Sequence, residues 1–177
     1  MIVVTGGAGF IGSAIVWKLN QLGKKNIIIV DELGKDEKWK NLVGLRYEDF
    51  VNKLEFIEQI LDDVIPYNVE AIIHMGANSS TTEKDADLLL DNNYHYTKEL
   101  AKFCVEKNIR FIYASSAATY GDGALGFDDD ESKLETLRPL NMYGYSKQLF
   151  DLWAKRSSIS DRIVGIKYFN VYGPNEY

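Results

Sequence analysis

The sequence predicts an α/β fold, a doubly wound parallel sheet with helices on both faces. Three observations carry that prediction. Short apolar, β-branched runs alternate with longer amphipathic stretches, the pattern of stacked βα units. Runs such as Ile27-Ile28-Ile29-Val30 lack polar alternation, as strands buried on both faces require. The chain has 177 residues, 46% of them hydrophobic, enough for one substantial core and too few for two roomy domains.

Strands are expected over residues 1–5, 26–31, 71–74, 110–114 and 163–168. Helices are expected over residues 10–22, 54–65, 85–107 and 143–157, with a shorter one over 36–43. Gly23 follows the first helix where a left-handed cap is needed. No repeat, proline-rich linker or low-complexity segment interrupts the order, so residues 1–177 read as a single domain. The acidic run Asp128-Asp129-Asp130-Glu131 follows a Gly-rich stretch and reads as a solvated loop without a catalytic role.

Bulk properties exclude several classes. A net charge of −6 offers no basic face for a polyphosphate backbone, so no nucleic-acid partner is expected. The single cysteine, Cys104, cannot form an intrachain disulfide and suggests a reducing compartment. His74 and His95 have no neighbours at metal-ligand spacing, and no metal is expected. Residues 1–5 run directly into a strand with no signal-peptide pattern, and no apolar stretch approaches the roughly 18 residues of a membrane span. The expectation is a soluble cytoplasmic protein.

Thr5-Gly6-Gly7-Ala8-Gly9-Phe10-Ile11-Gly12 joins the first strand to the first helix. Gly7, Gly9 and Gly12 fit Gly-x-Gly-x-x-Gly, with a tight turn, a close backbone approach to a diphosphate, and close helix packing as their respective roles. The free N–H groups opening the helix present partial positive charge to that diphosphate. Such a glycine pattern alone is weak, but here it follows a strand, opens a helix and precedes Asp31 at the end of the next strand. This is the context of a Rossmann-type dinucleotide site. Asp31 would accept from the adenosine ribose and favour NAD, whereas Lys35, Lys38 and Lys40 could equally be solvated turn lysines or phosphate ligands. Composition leaves NAD against NADP open.

Tyr143 and Lys147 lie four residues apart at the start of a helix, on one face. A free tyrosine phenol, with a pKa of about 10, is a poor base at neutral pH, but a nearby ammonium stabilises the phenolate. Such a phenolate can take a proton from a sugar hydroxyl while hydride leaves the carbon. Lys147 could also hold the nicotinamide ribose. A second Tyr-x-x-x-Lys, Tyr94 with Lys98, falls inside the long helix and reads as a surface pair. Ser116, beyond the strand at 110–114, can point into the site and hydrogen-bond the reacting oxygen, although a plain serine turn is the alternative.

The glycine loop, Ser115-Ser116-Ala117-Ala118-Thr119-Tyr120-Gly121, Tyr143 to Lys147, and Phe169-Asn170-Val171-Tyr172-Gly173-Pro174 together resemble the extended short-chain dehydrogenase/reductases, which include sugar-nucleotide epimerases and dehydratases. Gly76-Ala77-Asn78-Ser79-Ser80-Thr81-Thr82-Glu83, Asp91-Asn92-Asn93-Tyr94 and Asn141-Met142-Tyr143 look more specifically like the ADP-heptose 6-epimerase family of lipopolysaccharide core synthesis. The resemblance implies tightly held NADP, with NAD possible. It implies Gly6, Gly7, Gly9, Phe10, Ile11 and Gly12 at the phosphates, Asp31 and Glu32 at the ribose, and Lys38 and Lys53 near a 2′-phosphate. Met75, Gly76, Ala77, Asn78, Ser79, Asn92, Lys147 and Val171 would complete the cofactor contacts, and Ser79, Ser116 and Asn170 would meet the sugar nucleotide. Tyr143, Lys147 and Ser116 would be catalytic. Glu32, Met75 and Asn78 depart from the family pattern, and Glu32 places an extra carboxylate beside the ribose.

The resemblance also implies a His-Lys pair directly after Tyr177, a C-terminal substrate domain on the order of a hundred residues, and a homo-oligomer at full length. The chain accordingly reads as a fragment, able to bind cofactor but incomplete for catalysis. The competing readings are a hexose 4-epimerase or 4,6-dehydratase, and a cofactor-binding module without turnover. Ala117-Ala118 after Ser116 disfavours the dehydratase, which generally places an acidic pair there.

Overall fold

The computed structural model describes residues 1–174 and 176. Six parallel strands, β1 (Ile2–Thr5), β2 (Ile27–Asp31), β3 (Asp49–Asn52), β4 (Ala71–His74), β5 (Arg110–Ser116) and β6 (Ile163–Tyr168), form one sheet in the order β3-β2-β1-β4-β5-β6. The chain moves outward from β1 through β2 to β3, then returns to place β4 on the other side of β1. That reversal opens a crevice at the carboxyl ends of β1 and β4, where Thr5 is in register with both Val30 and His74.

Alternating side chains of the central strands feed two cores. Val3, Ile28, Val30, Ile72 and Phe111 pack with α2 (Lys53–Leu61), α4 (Tyr96–Lys107) and α5 (Met142–Arg156) through residues such as Phe56, Leu100 and Phe150. Val4, Ile27 and Ile29 pack on the opposite face against Val16 of α1 (Phe10–Gln21). Every residue of β2 is buried, which is why its sequence is an unbroken apolar run ended by Asp31. Helix α1 closes as expected: Gly23 has φ +78°, and the amides of Gly23 and Lys24 donate to the carbonyls of Asn20 and Leu19.

Several boundaries differ from the sequence reading. Strand β3 was not expected. The shorter helix at 36–43 is a 3-10 turn, Lys38–Leu42. Helix α2 stops at Leu61, before a positive-φ Asp63, instead of continuing to residue 65. Strand β5 continues two residues past 114 to Ser116. The helix expected over 85–107 is divided into α3 (Ala86–Leu90), a π turn (Asp91–His95) and α4. Asp130 of the acidic run accepts from the Ser132 amide and caps the 3-10 turn Glu131–Thr136. Tyr94 and Lys98 pair as read, with the Lys98 ammonium 5.4 Å from the Tyr94 ring centroid and 5.4 Å from that of Trp153.

Candidate active site

The glycine turn is built differently from the assignment made above. Gly6, not Gly7, takes the left-handed turn, with φ +65°, and a Cβ there would lie 2.6 Å from the Gly76 nitrogen. Gly12 lets α1 approach the turn, because a Cβ would sit 2.7 Å from the Gly6 carbonyl carbon and 2.9 Å from the Gly7 Cα. Gly7 packs on β2, where a Cβ would meet the Ile29 side chain at 2.9 Å. The working spacing is therefore Gly6, Gly9 and Gly12. Gly9 occupies the N-cap without a side-chain bond, so the first amides of α1 keep no side-chain partner. They open onto a cavity of about 290 Å³ lined by Gly9, Phe10, Ile11, Met75, Tyr143 and Lys147, among others.

Both polar groups of the Ala8 peptide are tied down. Its amide donates to Asp31 Oδ2 at 2.9 Å, and its carbonyl accepts from Asn41 Nδ2 at 3.0 Å. Asp31 Oδ1 accepts from the Glu32 amide at 2.7 Å and from Lys38 Nζ at 3.0 Å. A carboxylate has about four acceptor positions, so Asp31 retains room for one ribose hydroxyl on Oδ2. A second cavity, of about 230 Å³, continues past Asp31 and is lined by Glu32, Asp36, Lys38, Lys53, Ala77 and Asn92, among others. The two cavities share Gly6, Asp31, Lys38, Gly76 and Ala77, forming one elongated cleft.

Tyr143 and Lys147 enter that cleft from α5, whose start is fixed by Asn141 accepting from the Gly144 amide at 2.8 Å. Lys147 Nζ donates to the Ala114 carbonyl at 2.8 Å. Burial pushes the Lys147 ammonium down to about 8, with Asp151 partly opposing that shift. Ser116 is buried, and its Oγ accepts from the Ala118 amide at 3.1 Å. Ser115, one residue earlier, is the serine lining the cleft, although its hydroxyl donates to Asp151 at 2.7 Å.

Of the other expected contacts, Ser79 lines the cavity that holds Tyr143 and Lys147, while Gly7, Asn78, Ser116, Asn170 and Val171 line neither cavity. Asn170 and Val171 are exposed after β6. Sequence reasoning passed over Asn93, which is fully buried in the π turn. Its side chain accepts from the Asn78 amide at 2.8 Å and donates to the Asn78 carbonyl at 2.9 Å and Ser146 Oγ at 3.0 Å. Ser146 donates onward to the Tyr143 carbonyl at 2.7 Å, so the loop after β4 and the start of α5 are held together. His74 bridges Thr5 and Thr97. Thr97 donates to the Asn93 carbonyl, which leaves its oxygen to accept from His74 Nε2. Burial pushes His74 down to about 3, keeping it neutral beside the cleft.

Among the described residues, no group of three or more His, Cys, Asp or Glu side chains is placed to hold a metal ion. No helix among them is long and apolar enough to cross a membrane.

Residues 2–177 match the model of the NAD dependent epimerase/dehydratase family. The chain belongs to that family. It is 59% identical over 177 residues to an ADP-L-glycero-D-manno-heptose-6-epimerase from Nitratidesulfovibrio vulgaris, covering all of this chain and 55% of that relative. Among solved structures, the Helicobacter pylori ADP-L-glycero-D-manno-heptose-6-epimerase superposes with a TM-score of 0.80 at 28% identity, over 99% of this chain and 56% of the other. The Thermus thermophilus UDP-glucose 4-epimerase complex with NAD gives 0.76 at 27% identity, over 98% and 56%. The chain thus spans about half the length of the relatives it matches.

Proposed function

We propose that this chain is the cofactor-binding and proton-transferring portion of a cytoplasmic enzyme that converts ADP-D-glycero-D-manno-heptose to ADP-L-glycero-D-manno-heptose by inversion at C6″. One observation carries the reading: Tyr143 and Lys147 share a cavity with the uncapped N-terminus of α1. The 59% identity to a heptose epimerase supports the choice of sugar nucleotide.

The chemistry follows from the substrate. C6″ carries a hydroxyl and is not adjacent to a carbonyl, so its C–H is too weakly acidic for direct deprotonation. Oxidation to a ketone, rotation of the sugar end and reduction from the opposite face achieve the inversion. A nicotinamide dinucleotide, when bound, supplies the hydride acceptor and then the hydride donor. The cleft suits such a group: the amides at the α1 N-terminus, which have no side-chain cap, would hold its diphosphate, and Asp31 keeps one acceptor position for a ribose hydroxyl. Lys38 and Lys53 are the ammoniums that line the end of the cleft where the 2′-phosphate of NADP would have to sit.

Tyr143, as the phenolate, takes the hydroxyl proton as the C–H bond breaks on one face, and a second acid/base group on the other face gives a proton to the ketone oxygen in reduction. The Lys147 ammonium stabilises the phenolate that takes up the hydroxyl proton. Ser116 is assigned to the reacting oxygen by the resemblance alone, since its Oγ accepts from the Ala118 amide and it does not line the cleft. Ser79 and Asn170 are assigned to the sugar nucleotide, and the second acid/base group to the lysine that the resemblance places after Tyr177.

The test is Tyr143→Phe in the full-length protein, with C6″ inversion followed by proton NMR. Loss of the phenol should slow inversion by about 10³-fold while dinucleotide affinity stays within about twofold. Unaltered turnover would remove Tyr143 from the mechanism. Inversion at C4 of a UDP-hexose, with ADP-heptose untouched, would move the protein to the 4-epimerases.

A further inference from the structure

We propose that Glu32 makes the adenosine-ribose end of this cleft selective for NAD over NADP. The proposal rests on the reading of the cleft as a dinucleotide site and bears on which dinucleotide enters it.

That end is lined by three carboxylates, Asp31, Glu32 and Asp36, against two ammoniums, Lys38 and Lys53. Each ammonium is already engaged. Lys38 lies 3.0 Å from Asp31, and Lys53 lies 2.6 Å from Glu32. Lys53 is held further by Asn92 Oδ1 at 3.4 Å. Lys53 keeps the Glu32 carboxyl below the usual carboxylate range, so Glu32 is charged at neutral pH. Lys35 and Lys40 do not line this cavity, and Lys40 is paired with Glu37 at 2.6 Å.

A 2′-phosphate brings roughly two negative charges into this surrounding. Recruiting Lys38 would take it from Asp31, the residue that holds the Ala8 amide of the glycine turn. Recruiting Lys53 would leave Glu32 unpaired beside the phosphate. The neutral 2′-hydroxyl of NAD meets neither obstacle and can donate to a carboxylate already in place. The Glu32 and Lys53 side chains are 52% and 34% exposed, so solvent screens the repulsion to about a tenfold change in affinity ratio and no more.

Isothermal titration of the protein with NAD and with NADP, each alone at low ionic strength, tests this. The wild type should bind NAD more tightly. Glu32→Gln, a change at a half-exposed position, should raise the NADP-to-NAD affinity ratio about tenfold by freeing Lys53. Adding Lys53→Met to that variant should cancel the gain. A wild type that prefers NADP, or a ratio unmoved by Glu32→Gln, overturns the proposal. Binding of neither dinucleotide by folded protein, shown by unchanged circular dichroism, instead overturns the cofactor reading beneath it.

Discussion

Replacing Lys147 by methionine should change how the fold responds to pH. Lysine is ordinarily protonated up to about pH 10.5, and burial in the cleft pushes Lys147 down to about 8. Below pH 8 both folded and unfolded chains hold the proton, and folding bears the full cost of a desolvated ammonium. Between about pH 8 and 10.5 the unfolded chain holds more protons at this site, so this site's contribution to stability rises with pH. The gain from about pH 8 to 9.5 should be about 1.5 kcal/mol, using 1.36 kcal/mol per pKa unit. Lys147→Met lacks that gain. It also loses the 2.8 Å bond to the Ala114 carbonyl, but this is an offset largely independent of pH. The diagnostic is therefore the slope, measured by urea unfolding of both proteins at several pH values, where the other lysines cancel in the difference. Parallel curves would refute a desolvated ammonium at the base of the cleft and, with it, the argument that Lys147 serves the site at some cost in stability.

Two further substitutions test the scaffold. Gly12→Ala would press a Cβ against the Gly6 carbonyl and to 2.9 Å from Gly7 Cα, contacts with backbone alone. It should lower Tm by roughly 5 °C and dinucleotide affinity by about tenfold or more, and unchanged calorimetry of both would refute the packing. Asp151→Asn would leave Lys167, 2.7 Å away and largely buried, without its carboxylate. It should cost about 3 kcal/mol in urea unfolding, most of it recovered by adding Lys167→Met, and a loss below about 0.5 kcal/mol would show the pair to be dispensable.

What could be read from the sequence was what is local. The Ile27–Asp31 run announces a strand covered on both faces, and a glycine-rich turn between strand and helix announces an anion site whatever surrounds it. Strand β3 was illegible because Asp49-Phe50-Val51-Asn52 lies at the sheet edge, where only Val51 is buried and no apolar run is required. The glycine assignment slipped by one position because Gly6 and Gly7 both satisfy a spacing rule, and only the backbone path distinguishes a positive φ from contact with Ile29. Ser115 and Ser116 show the same limit: adjacent strand residues face opposite ways, and which one opens to the cleft depends on register.

The residues whose roles escaped the sequence reading are polar and buried, and those roles depend on long-range partners. Asn93 has no meaning within its own helix. Helical periodicity makes it merely a polar residue on a long amphipathic segment, whereas the π turn carries its amide to both backbone groups of Asn78 and to Ser146. Apolar packing could fill the same space, but it is non-directional and tolerates sliding. Paired hydrogen bonds to the N–H and C=O of one residue fix orientation as well as distance. The same device recurs at Ala8, held through its amide by Asp31 and through its carbonyl by Asn41. Both clamps grip loops at the carboxyl end of the sheet, the segments that regular ladders leave free. The role proposed for the Tyr143 phenol, useful only within a hydrogen bond of its target, requires such fixed directions, and the polar clamps provide them where the strands end.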